Sequence, residues 1–137
     1  MARRYLEELG IEIKNTPWGW EDNDKARNKI WKEEREEDGF DERETWSLDF
    51  TMNLLLYERL CKYKEIASKV VNLKFHIFTF NGEELTELEC IDRMIEGLKY
   101  DLTLDPYDDK RKNDEHIKER IENVWKLYDL CKYSLWW

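Results

Sequence analysis

The chain has 137 residues, enough to bury the core of one domain and too few for two comfortable ones. Charged residues make up 40% and hydrophobic ones 41%, the composition of a patterned, folded chain rather than a disordered one. Five Gly and 2 Pro leave too few turn formers for a many-stranded β fold, and a net charge of -9 argues against non-specific duplex nucleic-acid binding. A local basic pocket for a small anion and a basic protein partner both remain compatible with that charge.

Residues 1–23 read as an irregular N-terminal link, with LGIEI a candidate short strand and NTPWGWEDND a turn-rich run punctuated by Pro17 and Gly19. Residues 24–37, DKARNKIWKEEREE, form a helix whose only large apolar residues are Ile30 and Trp31, so a surface position is expected. Its acidic and basic residues are taken as a solvated face. Residues 41–67 read as one long central helix, opened by Asp41 with Glu44 three positions on as a capping box. On that helix Ser47, Thr51, Glu58, Lys62 and Glu65 make the solvent stripe. Asp49 and Asn53 then project to the opposite side, among Trp46, Leu56, Tyr57, Leu60 and Tyr63, where polar groups need partners.

Residues 70–80, VVNLKFHIFTF, alternate apolar and polar positions like a half-buried strand. Its mate is expected to be LGIEI or the same segment of a second subunit. Asn81 and Gly82 signal a turn, and Thr86 with Glu89 is a capping box opening a helix over residues 86–104. DPYDDKRKND reads as a loop. The last helix, residues 112–133, carries Ile117, Ile121, Val124, Tyr128, Cys131 and Leu135 at helical spacing. The expected fold class is mainly α (α+β): a single domain built as a small bundle of three to four helices, with one short β element around residues 70–80.

Cys61, Cys90 and Cys131 are widely spaced, lie in apolar helix patterns and are far in sequence from His76 and His116. Free, buried thiols are expected, with no metal site and no cofactor. The opening MARRYLEELG has no apolar run behind its basic residues, and no segment reaches membrane-spanning length. The expectation is a cytosolic protein that does not engage a membrane.

Asp49 and Asn53 admit two readings. Either they hydrogen-bond an indole N–H or backbone groups of the N-terminal link, or they contact a ligand together with Trp46 and Tyr57. Lys74 and His76, on the polar face of the expected strand, join Arg43 as the basic lining that a phosphate needs. Seven Trp and 7 Tyr are more than a core of this size requires. Trp18, Trp20, Trp136 and Trp137 are therefore candidates for stacking platforms or for anchors of a subunit interface. No nucleophile, paired acid or phosphate-loop motif is present, so no catalytic residue is assigned and a non-enzymatic role is expected.

The segment GFDERETWSLDF, followed by an apolar helix and ERLCKYKE, resembles a widespread group of small, mostly uncharacterised bacteriophage and prophage accessory proteins. Gly39, Phe40, Asp41, Thr45, Trp46, Ser47, Leu48 and Asp49 carry the likeness; NGEELTELECIDRMIEGL is similar in character. The resemblance implies a phage-borne protein made in the host bacterial cytosol and acting against host defence. The leading expectation is a sponge that sequesters a host nucleotide immune signal in an aromatic and basic pocket of a symmetric homo-oligomer, most simply a dimer. The alternative is an anti-CRISPR-like inhibitor that binds a host defence protein through its acidic surface.

Overall fold

In the computed structural model residues 2–104 and 115–137 are described. The protein is mainly α with a small antiparallel sheet: α1 (Arg4–Glu8), α2 (Lys25–Asp38), α3 (Leu48–Val70), β1 (Ile77–Phe80), β2 (Glu83–Thr86), α4 (Glu87–Leu102) and α5 (Glu115–Cys131). Three 3-10 turns, Ile13–Asn15, Glu42–Thr45 and Lys132–Ser134, complete the described elements. The loop expected over DPYDDKRKND and the first three residues of the last expected helix lie outside the described residues. The chain divides into two compact units, Met1–Leu55 and Leu56–Trp137.

In the first unit the N-terminal segment is not the irregular link expected. Its first turn is α1, and LGIEI is no strand but the approach to the 3-10 turn at Ile13–Asn15. That turn lies against Gly19, where a Cβ would stand 2.3 Å from the Ile13 carbonyl oxygen, so only glycine fits. The segment is then tied to α2 by Asn28. Its side chain accepts from the Asp22 N–H and donates to the Asp22 carbonyl, both at 2.8 Å. Asp24 caps α2 by accepting from the Ala26 N–H at 3.0 Å. Ile30 is exposed, as a surface helix predicts, but Trp31 is only 1% exposed and is the centre of this unit's core.

The central helix does not start at Asp41. The capping box is present, but it opens the 3-10 turn Glu42–Thr45, and α3 begins only at Leu48. Asp49 therefore sits in the first turn of α3 and is exposed, contrary to the expectation of a buried carboxylate. An acid belongs there for another reason: the unpaired N–H groups of a helix start carry partial positive charge. Trp46, expected among core residues, is 47% exposed. Thr51, expected in the solvent stripe, is 1% exposed. Asn53 and Tyr57 are buried as expected.

In the second unit, the strand read over residues 70–80 contracts to β1, and residues 71–76 form a turn-rich approach. Leu73 alone of that approach is buried, and its carbonyl accepts from the Leu88 N–H at 2.9 Å. Lys74 and His76 consequently precede the strand rather than lining its polar face; both are exposed. The mate of β1 is neither LGIEI nor a second subunit. It is β2, paired antiparallel with Ile77 opposite Thr86 and Phe80 opposite Glu83. Asn81 and Gly82, at φ 51° and 79°, make the two-residue turn whose twist suits a hairpin. Thr86 ends the hairpin and caps α4, its hydroxyl accepting from the Glu89 N–H at 3.1 Å. Helices α4 and α5 pack together, burying Ile91, Met94, Leu98, Val124, Leu127 and Cys131.

Candidate functional site

The first unit gathers its aromatic and basic residues around one buried carboxylate. Asp41 is 0% exposed. Arg43 donates to both its oxygens, Nε at 2.9 Å and Nη2 at 2.7 Å, and Arg35 Nη2 reaches it at 2.8 Å. Arg43 also donates to the Trp20 carbonyl, fastening the N-terminal segment to the turn. Burial works to raise the Asp41 carboxyl, but the Arg43 hydrogen bonds and the charges of Arg43 and Arg35 prevail and hold it below its ordinary value. Glu44 adds a second carboxylate, 3.5 Å from Arg35 Nη2, so the two arginines are matched by two acids.

Three indoles surround these arginines. Trp20, Trp31 and Trp46 meet pairwise with centroids 5.5 to 5.7 Å apart, two of the contacts edge-to-face. The Arg43 guanidinium lies 4.9 Å from the Trp31 ring centroid, and Arg27 lies 5.0 Å from Trp31 and 5.3 Å from Trp46. The carboxylates that answer the indole N–H groups are not Asp49 but Glu42, at 3.1 Å from Trp31 Nε1, and Glu44, at 2.6 Å from Trp18 Nε1.

Two cavities open on this framework, and Arg43 borders both. The first, about 410 Å³, is lined by Trp18, Gly19, Glu21, Asn28, Lys29, Lys32, Arg35 and Arg43. Among the described residues Lys29 and Lys32 have no carboxylate within salt-bridge distance, so their charges are available to an anion. The second, about 310 Å³, lies between Trp20, Trp46 and Phe50, with Pro17 and Thr51 in its wall and Ser47 and Asn15 beside them.

Of the residues expected to bind a ligand, Arg43 and Trp46 line these cavities while Asp49 and Asn53 line neither. Arg43 is present for a different purpose from the one expected, since its hydrogen bonds go to Asp41 and the Trp20 carbonyl. Tyr57, Lys74 and His76 belong to the second unit. There His76 borders a groove of about 300 Å³ with Val71, Phe75, Glu87 and Trp136, and Lys74 does not. Glu87 of this groove accepts from the Tyr63 hydroxyl at 3.2 Å. Burial and the Glu87 charge push the Tyr63 phenol up to about 12. Sequence reasoning missed Lys29, Lys32 and Arg35. Their signal was the spacing Asn28, Lys32, Arg35 along one side of α2, hidden by the acids interleaved with it.

Among the described residues no cluster of His, Cys, Asp and Glu is arranged to hold a metal ion, and no helix is long and apolar enough to cross a membrane. Comparison with family models, with curated proteins and with solved structures returned no match.

Proposed function

We propose that this protein is a non-enzymatic phage counter-defence protein that sequesters a nucleotide immune signal of its bacterial host. The observation that carries this reading is the cleft of Lys29, Lys32 and Arg35 beside Trp18, in a chain whose net charge is -9. A protein so acidic repels anions in general, so cations gathered in one concave place beside an aromatic ring favour a specific, small, anionic ligand. Lys29 and Lys32 supply mobile ammonium groups to phosphate oxygens, while Arg35, whose Nε and Nη2 are engaged by Asp41 and Glu44, has Nη1 left to offer.

The test is one incubation of the pure protein in lysate from defence-activated bacteria, followed by repurification, denaturation and mass spectrometry of what is released. A nucleotide released by the wild type and absent from the Lys29→Glu/Lys32→Glu variant supports sequestration. Release of no nucleotide by the wild type refutes it.

A second reading, direct inhibition of a host defence protein, is favoured by exposed apolar side chains in the second unit. Phe75, Tyr133 and Trp136 are 74%, 84% and 75% exposed, in keeping with a protein-contact surface. A defence protein that co-purifies in the same incubation and is lost on Phe75→Ala/Trp136→Ala supports this alternative.

A further inference from the structure

We infer that the groove of the second unit is a socket for one arginine side chain of a protein partner, its guanidinium pairing with Glu87 and lying against Phe75 and Trp136. The inference takes from the second reading only that the partner is a protein. The choice of arginine rests on the groove itself.

Glu87 is the decisive residue. It is the first residue of α4, is 3% exposed and borders the groove. One carboxylate oxygen, Oε1, accepts from the Tyr63 hydroxyl. The other, Oε2, has no hydrogen-bond partner among the described residues and is not sealed from solvent, so it opens on the groove. No cation of the described residues lies within salt-bridge distance of this carboxylate. The cations of the same unit that do pair, Lys64, Arg93 and Lys132, go to Asp92, Glu83 and Asp129.

A carboxylate taken so far out of water is costly unless it is matched. A neutral hydroxyl and the start of a helix match it only in part. A cation entering the groove completes the pairing, and a chain of net charge -9 attracts one.

The walls favour a guanidinium over an ammonium. Phe75 and Trp136 border the groove with exposed rings. Both are held in place. The Phe75 N–H donates to the Asn72 carbonyl at 3.2 Å, and the Phe75 and His76 rings meet edge-to-face at 90°. The Tyr63 hydroxyl that fixes Glu87 also lies 3.3 Å from the Trp136 carbonyl, which places Trp136 beside the carboxylate. An arginine fork stacks on ring faces while it donates in its own plane, and its stem lies along apolar wall such as Val71. An ammonium is more strongly hydrated and has no plane to stack. The volume of about 300 Å³ is the liquid share of roughly ten waters, room for one side chain. Rings this exposed around one buried charge suit a partner whose main chain covers them, as at the centre of a protein interface.

The experiment titrates the full chain with N-acetyl-arginine methylamide at millimolar concentration, in parallel with its lysine and norleucine counterparts and with agmatine. Nitrogen–proton NMR spectra follow the Trp136 indole and the His76 amide. The arginine probe should shift both signals and bind about tenfold more tightly than the uncharged norleucine probe. Glu87→Gln keeps an acceptor for Tyr63 and removes the charge. It should weaken the arginine probe about tenfold and leave the norleucine probe unchanged. Circular dichroism establishes that the variant is folded. If it is not, Trp136→Ala, at an exposed side chain, should lose the arginine probe, and retained binding there overturns the socket. Arginine and norleucine probes that bind alike, or unchanged arginine affinity in folded Glu87→Gln, overturn the pairing with Glu87. A lysine probe as tight as the arginine probe overturns the choice of guanidinium. Agmatine binding more tightly than capped arginine overturns the protein source in favour of a free guanidine. Signals unmoved by every probe overturn the socket and leave the second reading to its own co-purification test.

Discussion

Arg43 grips Asp41 through two parallel hydrogen bonds, Nε to one carboxylate oxygen at 2.9 Å and Nη2 to the other at 2.7 Å. The carboxylate is fully buried and the guanidinium nearly so, at 0% and 11% side-chain exposure. Removing one partner of such a pair leaves an uncompensated charge. Asp41→Ala is therefore expected to cost about 3 kcal/mol, measured by urea denaturation. Loss of less than about 1 kcal/mol, the range of surface ion pairs, would show that the clamp is solvated in solution.

Asp41 and Tyr63 contribute to the pH dependence with opposite signs, and on the alkaline side Tyr63 acts together with Cys131, whose thiol burial raises from 9.0 to about 12. Asp41 is depressed below its ordinary value of 3.8, because arginine contacts outweigh the burial that would raise it. Its contribution is present above 3.8 and lost as pH falls through the lower folded value. Tyr63 is raised, first by burial and then by Glu87, from 10.0 to about 12. Its contribution is present below 10.0 and lost as pH climbs towards 12. Melting temperature should fall on both sides, with the acid limb weakened in Asp41→Asn and the alkaline limb weakened in part in Tyr63→Phe, the remainder belonging to Cys131. A variant that reproduces the wild-type limb would remove its residue from the account.

Asp49 offers a contrast with Asp41. It is an exposed first-turn acid of α3, so Asp49→Ala should forfeit only the helix-start interaction, about 0.5 kcal/mol. Denaturation alongside Asp41→Ala gives the comparison. A cost as large as that of Asp41 would mean that Asp49 is sunk after all.

Gly97 lets α4 approach α5. A Cβ there would stand 2.6 Å from Val124 Cγ2, which requires the packed side chain to move. Gly97→Ala should destabilise by about 1–3 kcal/mol despite its better helix propensity, and Val124→Ala in the same chain should recover part of the loss. Thermal melts of the single and double variants decide it; a stabilised Gly97→Ala would mean that the contact is loose.

The three thiols should separate by reactivity. Burial pushes Cys131 up to about 12 and also raises Cys90, and both are 0% exposed, while Cys61 is half-buried. Thiolate is the reactive form. Iodoacetamide on the native protein, read by mass spectrometry, should modify Cys61 first and reach the other two only in denaturant.

The sequence by itself determined what depends on near neighbours. Helical spacing located α4 and α5, the Asp41–Glu44 and Thr86–Glu89 boxes were legible because their partners lie three residues apart, and Asn81 and Gly82 announced a turn. The mate of β1 was missed even with that turn in view, because Glu83–Thr86 has only Leu85 as a buried position and carries no alternation to advertise a strand. Tertiary structure alone decided the fates of polar and aromatic residues that satisfy each other across long separations. Glu42 and Glu44 answer Trp31 and Trp18, 11 and 26 residues away, and Arg43 reaches the Trp20 carbonyl across 23. Periodicity treats a helix as uninterrupted, so the 3-10 turn at Glu42–Thr45 put Trp46 and Asp49 on the wrong side. Thr51 escaped notice because it stands at the edge of the buried face of α3, one turn from Leu54, where spacing alone does not separate a covered side chain from a solvated one. Lys29 and Lys32 became a cleft only when Trp18 and Gly19 were brought against α2, and charge gathered by folding leaves no periodic trace in the chain.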